Sequence, residues 1–194
     1  MNMRYLSALA QALALSGALV LPAFAQDAAA EQAAVQKSQE AMKEFGMTLK
    51  GTLQAAMKAG GPMNAIPVCH TEAPKIAAQM RDKYGVDIHR TSLKPRATPP
   101  SAWEMTVLEG FEKSKAAGKP VAELVWKEVV EVDGKPTLRM MKAIGTEDVC
   151  LTCHGTAINP EVQAKIQALY PNDKAVGFKA GDIRGAFSVS AALK

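Results

Sequence analysis

The chain has 194 residues, 48% apolar and 22% charged, which suits one domain with a buried core and excludes a disordered chain. Its formal net charge of +4 comes without any basic run interleaved with aromatic residues, which excludes a nucleic-acid-binding surface.

Met1 to Ala25 has the layout of a secretory leader. Arg4 gives the positive start, Leu6 to Leu21 is apolar, and Ala23-Phe24-Ala25 is a small-x-small cleavage site. The apolar run is short for a bilayer span and meets the cleavage site directly. The expectation is therefore a cleaved, periplasmic or exported protein, with residues 26–194 folding as one domain and no membrane span left. Cleavage removes Arg4 alone among the charges, taking the balance from +4 to +3.

From Asp27 to about Lys58, apolar residues recur at three and four (Val35, Met42, Phe45, Leu49, Leu53, Met57), which predicts a long amphipathic helix. Gly60-Gly61-Pro62 breaks it, and Asn64 can cap a second helix running to about Tyr84, with Gly85 as its stop. Pro67 is tolerated in the first turn of that helix, whereas Pro74 should kink it. Val86 to Thr91 reads as a short strand, and Leu93 to Pro100 as a proline-rich loop. Ser101-Ala102-Trp103-Glu104 is a capping box that opens a helix to about Ala117. Val121 to Val132 and Pro136 to Ile144 read as a hairpin about Asp133-Gly134. Thr146 is a candidate cap for a short helix bearing two cysteines. Asn159-Pro160-Glu161 starts another helix, which ends before Pro171, and Ala186 to Ala191 reads as a closing strand. Helices, a hairpin, helices and a final strand make an α+β fold.

Three cysteines in an exported chain need an explanation, and their spacing supplies one. Cys150-Leu151-Thr152-Cys153-His154 is the C-x-x-C-H motif of covalent haem c attachment. On one helical turn, i and i+3 share a face, so both sulfurs reach one porphyrin and the adjacent imidazole reaches the iron. A thioredoxin-type redox pair would not require the histidine, and a zinc site would need two further ligands from Cys69, His70, His89 or acids. The expectation is one covalent haem per chain, with His154 as an iron ligand. After His154 the sequence has no Met, His or Cys, so a sixth ligand must come from upstream or be absent. Cys69, His70, His89 and the methionines Met63, Met80, Met105, Met140 and Met141 are the candidates. A thiolate from Cys69 would favour Fe(III) and lower the reduction potential, whereas a methionine would raise it.

Four stretches carry a family resemblance. They are Ala65-Ile66-Pro67-Val68-Cys69, Arg90-Thr91-Ser92-Leu93-Lys94-Pro95-Arg96, Cys150 to Gly155, and Tyr170 to Gly177 running on into Gly181-Asp182-Ile183-Arg184-Gly185-Ala186. They resemble the PAS-like c-type haem domain that occurs as free periplasmic proteins and as the sensing half of some kinases and chemoreceptors. The resemblance implies a PAS-like antiparallel sheet flanked by helices. It also implies haem held by the motif histidine and a cysteine on an N-terminal helix, here His154 and Cys69, with His70 as the neighbouring alternative. Arg90, Lys94 or Arg96 could pair with haem propionates.

The functional expectation is low-potential one-electron transfer or haem-based redox or gas sensing. A redox partner protein is expected, and a small gas ligand is possible. A haem enzyme acting on peroxide or nitrogen oxides is the alternative, for which no catalytic residue can be named. A five-coordinate helical-bundle cytochrome is opposed by the hairpin and by the long chain after His154.

Overall fold

A computed structural model describes residues 23–193; Met1 to Pro22 of the expected leader lie outside them. The first element, α1, is Ala23–Tyr84, broken where Gly60 and Gly61 leave helical dihedrals. Gly61, at φ 64° and ψ −158°, occupies a region open only to glycine, and this reverses the chain. Glu44 of the first half accepts hydrogen bonds from Lys83 and Tyr84 of the second, both at 2.6 Å, so the halves lie side by side as an αα-hairpin. Pro74, expected to kink the second half, keeps helical dihedrals; the glycine pair alone makes the break.

Strands β1 (Asp87–Thr91), β2 (Val125–Val132), β3 (Lys135–Gly145) and β4 (Ile183–Ala192) form one antiparallel sheet in the order β1-β4-β3-β2. Asp133 and Gly134, at φ 52° and 71°, make the primed turn that matches the twist of the β2–β3 hairpin. Val121 to Glu123, expected as strand, instead form a 3₁₀ turn after Pro120. It returns the Leu124 N–H to Val121 O and buries Leu124 against Val107, Leu108 and Phe111 of the preceding helix.

Alternation along the strands buries both faces of the sheet. Leu138 and Met140 of β3 and Val189 and Ala191 of β4 meet Met42, Phe45, Leu49, Ile76 and Met80 of α1. Met141, Ala143 and Ala186 meet Val107, Leu108 and Phe111 of α2 (Ala102–Ala116) on the opposite face. Burial of each such large side chain contributes roughly 1.5–3 kcal/mol. The fold is thus the expected PAS-like α+β sheet between helices, with a long N-terminal helix. Among the described residues no helix is long and apolar enough to cross a membrane.

The capping box forms as read: the Ser101 N–H and Oγ both donate to Glu104 Oε2 at 2.8 Å. Glu104 is only 3% exposed. Burial pushes its carboxyl up, but hydrogen bonds from His89, Ser188 and Ser101 outweigh that and hold it down to about 2.

After β3 the chain makes a 3₁₀ turn, Asp148–Cys150, and then α3, Leu151–His154. Thr146 does not cap this turn. Its backbone pairs with Gly181 and Asp182, its hydroxyl is buried without a partner, and the turn starts after Glu147. Helix α4, Pro160–Leu169, opens as expected, with Asn159 Oδ1 accepting the Glu161 N–H at 2.9 Å. Val162, Ile166 and Tyr170 pack it against Ile66 of α1.

Candidate functional site

A cavity of about 480 Å³ lies between the second half of α1, β1 with its following loop, the start of β4 and the α3 turn. That falls within the roughly 300–1,000 Å³ range of small-molecule sites. Cys69, His70, His89, Arg90, Arg96 and His154 all contribute to its lining. Distant parts of the chain, from α1 to β4, therefore converge on one space. Cys150 and Cys153 stand outside the lining, on the helical turn leading into His154. Their spacing places both on one face of that turn.

His154 is fixed by its surroundings. Its Nδ1–H donates to Ala175 O at 2.7 Å, and its own carbonyl accepts from the Phe178 N–H at 3.0 Å. The Phe178 ring meets the imidazole edge-on, with centroids 6.2 Å apart. Burial first, then the charges of Arg184 and Arg96, push its pKa down to about 2. The ring is therefore neutral, with Nδ1 occupied and Nε2 left as the lone-pair nitrogen. This is the tautomer a metal ligand requires.

Arg96 has a role the sequence did not reveal. Its Nε and Nη2 grip the Asp173 carboxylate at 3.2 and 3.1 Å, and Nη2 also donates to Cys153 O at 2.9 Å. Asp173 Oδ1 in turn accepts the Ala175 N–H at 2.9 Å, and the Lys174 N–H returns to Pro95 O at 3.0 Å. One buried ion pair thus ties the proline-rich loop, the motif backbone and the carbonyl that orients His154. Arg96 Nη2 also lies 3.3 Å from His154 Nδ1. With the Nδ1 proton directed at Ala175, that approach is a charge contact, not a hydrogen bond.

The upstream candidates separate by position. Cys69 is half-buried, its thiol is free like those of Cys150 and Cys153, and it lines the cavity. His70 lines it too, exposed and edge-on to Tyr170 at 5.4 Å, although adjacent helix positions diverge by about 100°. His89 places Nε2 2.8 Å from Glu104 Oε1. Among the described residues no methionine lines the cavity: Met80, Met140 and Met141 are core, while Met63 and Met105 are exposed. Lys94 is committed elsewhere, donating to Val176 O at 3.2 Å with its Nζ 4.9 Å over the Phe178 ring.

Arg184, Asp173 and Tyr170 belong to the site and carry no separate signal of a role in the sequence. Arg184 enters the cavity from the start of β4. The next residue must be glycine: a Cβ on Gly185 would stand 2.2 Å from Thr91 O. Among the described residues no group of three or more His, Cys, Asp or Glu side chains is placed to hold a metal ion.

The order β1-β4-β3-β2, with helices on both faces and the cavity at one sheet edge, defines a PAS-like domain. The chain belongs to the Tll0287-like family, whose sequence profile matches residues 22–192. This is the family resembled by the four sequence stretches. Among solved structures, it is similar to the cyanobacterial heme-protein Tll0287, with 23% identity, a TM-score of 0.58, and coverage of 82% of this chain and 92% of that one. No curated protein matches the chain significantly.

Proposed function

We propose that the protein is an exported single-haem c-type cytochrome acting in low-potential one-electron transfer. Cys150 and Cys153 would carry the thioethers, His154 would ligate the iron, and Cys69 would supply the second axial ligand. The observation that carries this reading is the state of His154: neutral, anchored through Nδ1 to Ala175 O, and lining the cavity that Cys69 also lines. The description of Tll0287 as a heme-protein supports the same cofactor.

The residues present fit such a group. The cavity offers the Cys69 thiol and the anchored His154 imidazole as iron donors, apolar lining from Phe45, Ala73, Ala77 and Ile144, and cations from Arg90, Arg96 and Arg184. When bound, the haem would supply reversible Fe(III)/Fe(II) chemistry. The chain's own work is to orient His154 through Ala175, to keep the imidazole unprotonated, and to set the ferric preference with an anionic sulfur. If Cys69 yields to a small molecule such as CO or NO, the same site serves gas or redox sensing. A soluble donor or acceptor protein is the partner this reading requires.

The haem-loaded wild-type chain, examined oxidised and reduced, tests the proposal. Low-spin six-coordinate ferric spectra with thiolate charge-transfer bands are expected, along with a midpoint potential below that of a His/Met cytochrome. A five-coordinate high-spin ferric form, or a potential in the His/Met range, would contradict it.

A further inference from the structure

The cavity has a charge imbalance that its iron donors do not explain. Among the described residues three arginines line it, Arg90, Arg96 and Arg184, and no Asp or Glu does. Arg96 is neutralised from behind by Asp173. Among the described residues, neither Arg90 nor Arg184 forms a salt bridge. Arg184 Nε is buried without a hydrogen-bond partner. A buried guanidinium donor without a partner is costly unless an anion meets it, and the exposed Arg90 puts a second cation on the same lining. Their mutual repulsion is visible in Arg184 itself, which burial first and then Arg90 and Arg96 pull down to about 10.

The backbone holds Arg184 rigidly in this position. Its carbonyl accepts from Ser92 Oγ at 2.8 Å, its guanidinium lies 5.3 Å over the Phe178 ring, and Gly185 permits the close approach to Thr91. Phe178 also packs on His154, so the cation and the candidate iron ligand share one aromatic support.

We infer that Arg184, with Arg90, is the carboxylate-binding pair of this cavity, taking the two propionates of the haem, while Arg96 only positions the His154 loop. The assignment rests on the cytochrome reading and deepens it. A planar guanidinium with free donors suits a carboxylate, and two cations match a dicarboxylate.

The test separates the carboxylates from the rest of the ligand. The full-length C150A/C153A variant is titrated with free haem and with haem dimethyl ester, its fold checked by circular dichroism. It should bind the free acid more tightly than the ester by roughly 10- to 100-fold, as charge-assisted hydrogen bonds imply. Adding Arg184→Gln should remove most of that preference, Arg90→Gln part of it, and Arg184→Lys should retain some. Equal affinities for acid and ester, or a preference unchanged by Arg184→Gln, would overturn the assignment. If the double variant binds neither form, the comparison moves to the haem-bearing chain. There Arg184→Gln must lower the midpoint potential, since losing a cation favours Fe(III), and an unchanged potential overturns the assignment. A wild-type chain that takes up no haem would instead overturn the cytochrome reading, and this assignment with it.

Discussion

Asp173→Ala is expected to lower the melting temperature of the full-length chain by roughly 6–20 °C. Arg96 and Asp173 have side chains only 10% and 5% exposed, so solvent cannot replace the lost partner. Removing one member of a buried ion pair typically costs about 3–5 kcal/mol, and each kcal/mol shifts a chain of this size by about 2–4 °C. The loss extends beyond the pair. Asp173 Oδ1 also accepts the Ala175 N–H, and Ala175 O holds His154 Nδ1. Arg96 would keep its bond to Cys153 O but lose its fixed direction. Thermal unfolding followed by circular dichroism measures the effect, and Asp173→Asn should recover part of the stability by keeping one acceptor. A shift below about 2 °C would show that the brace contributes little.

Cys69→Ala is expected to raise the midpoint potential of the haem-bearing protein by on the order of 100 mV, a fraction of the roughly 0.8 V that axial ligands span. The sign follows from charge. An anionic thiolate stabilises Fe(III) over Fe(II), so its loss favours the reduced form. The ferric spectrum should also lose its thiolate bands and move toward high spin. Potentiometric titration of both proteins provides the comparison. Unchanged potential and spectrum would make Cys69 a packing residue and turn attention to His70, which lines the same cavity.

Local chemistry accounts for most of what is legible in the sequence. Gly60-Gly61, Asp133-Gly134, the Ser101 capping box and the Asn159-Pro160 start each act within a few residues, so each can be read from a few letters. Val121 to Glu123 mislead because they lead into a β-branched run, and Pro120 and the burial of Leu124 override its continuation. Thr146 misleads because its backbone is claimed by Gly181 and Asp182, far along the chain.

The candidate site divides in the same way. Cys150, Cys153 and His154 fall within five residues, so the expectation of haem attachment can be read from their spacing. Cys69 stands out through family resemblance, and the cavity puts it in the same lining as His154. The partnership of Arg96 with Asp173 spans 77 positions, and that of His154 with Ala175 spans 21; neither leaves a periodic trace. Arg184 lies within a family motif, yet in the sequence it looks like an ordinary charge. Only a cavity with three arginines and no acid gives it meaning.

The most direct test is the intact mass of the purified chain after expression with haem-attachment machinery, beside the C150A/C153A variant. The account predicts that the wild type carries the added mass of one haem, retained after denaturation, and that the variant carries none. A wild-type chain without that mass, or a variant that keeps it, would contradict the account.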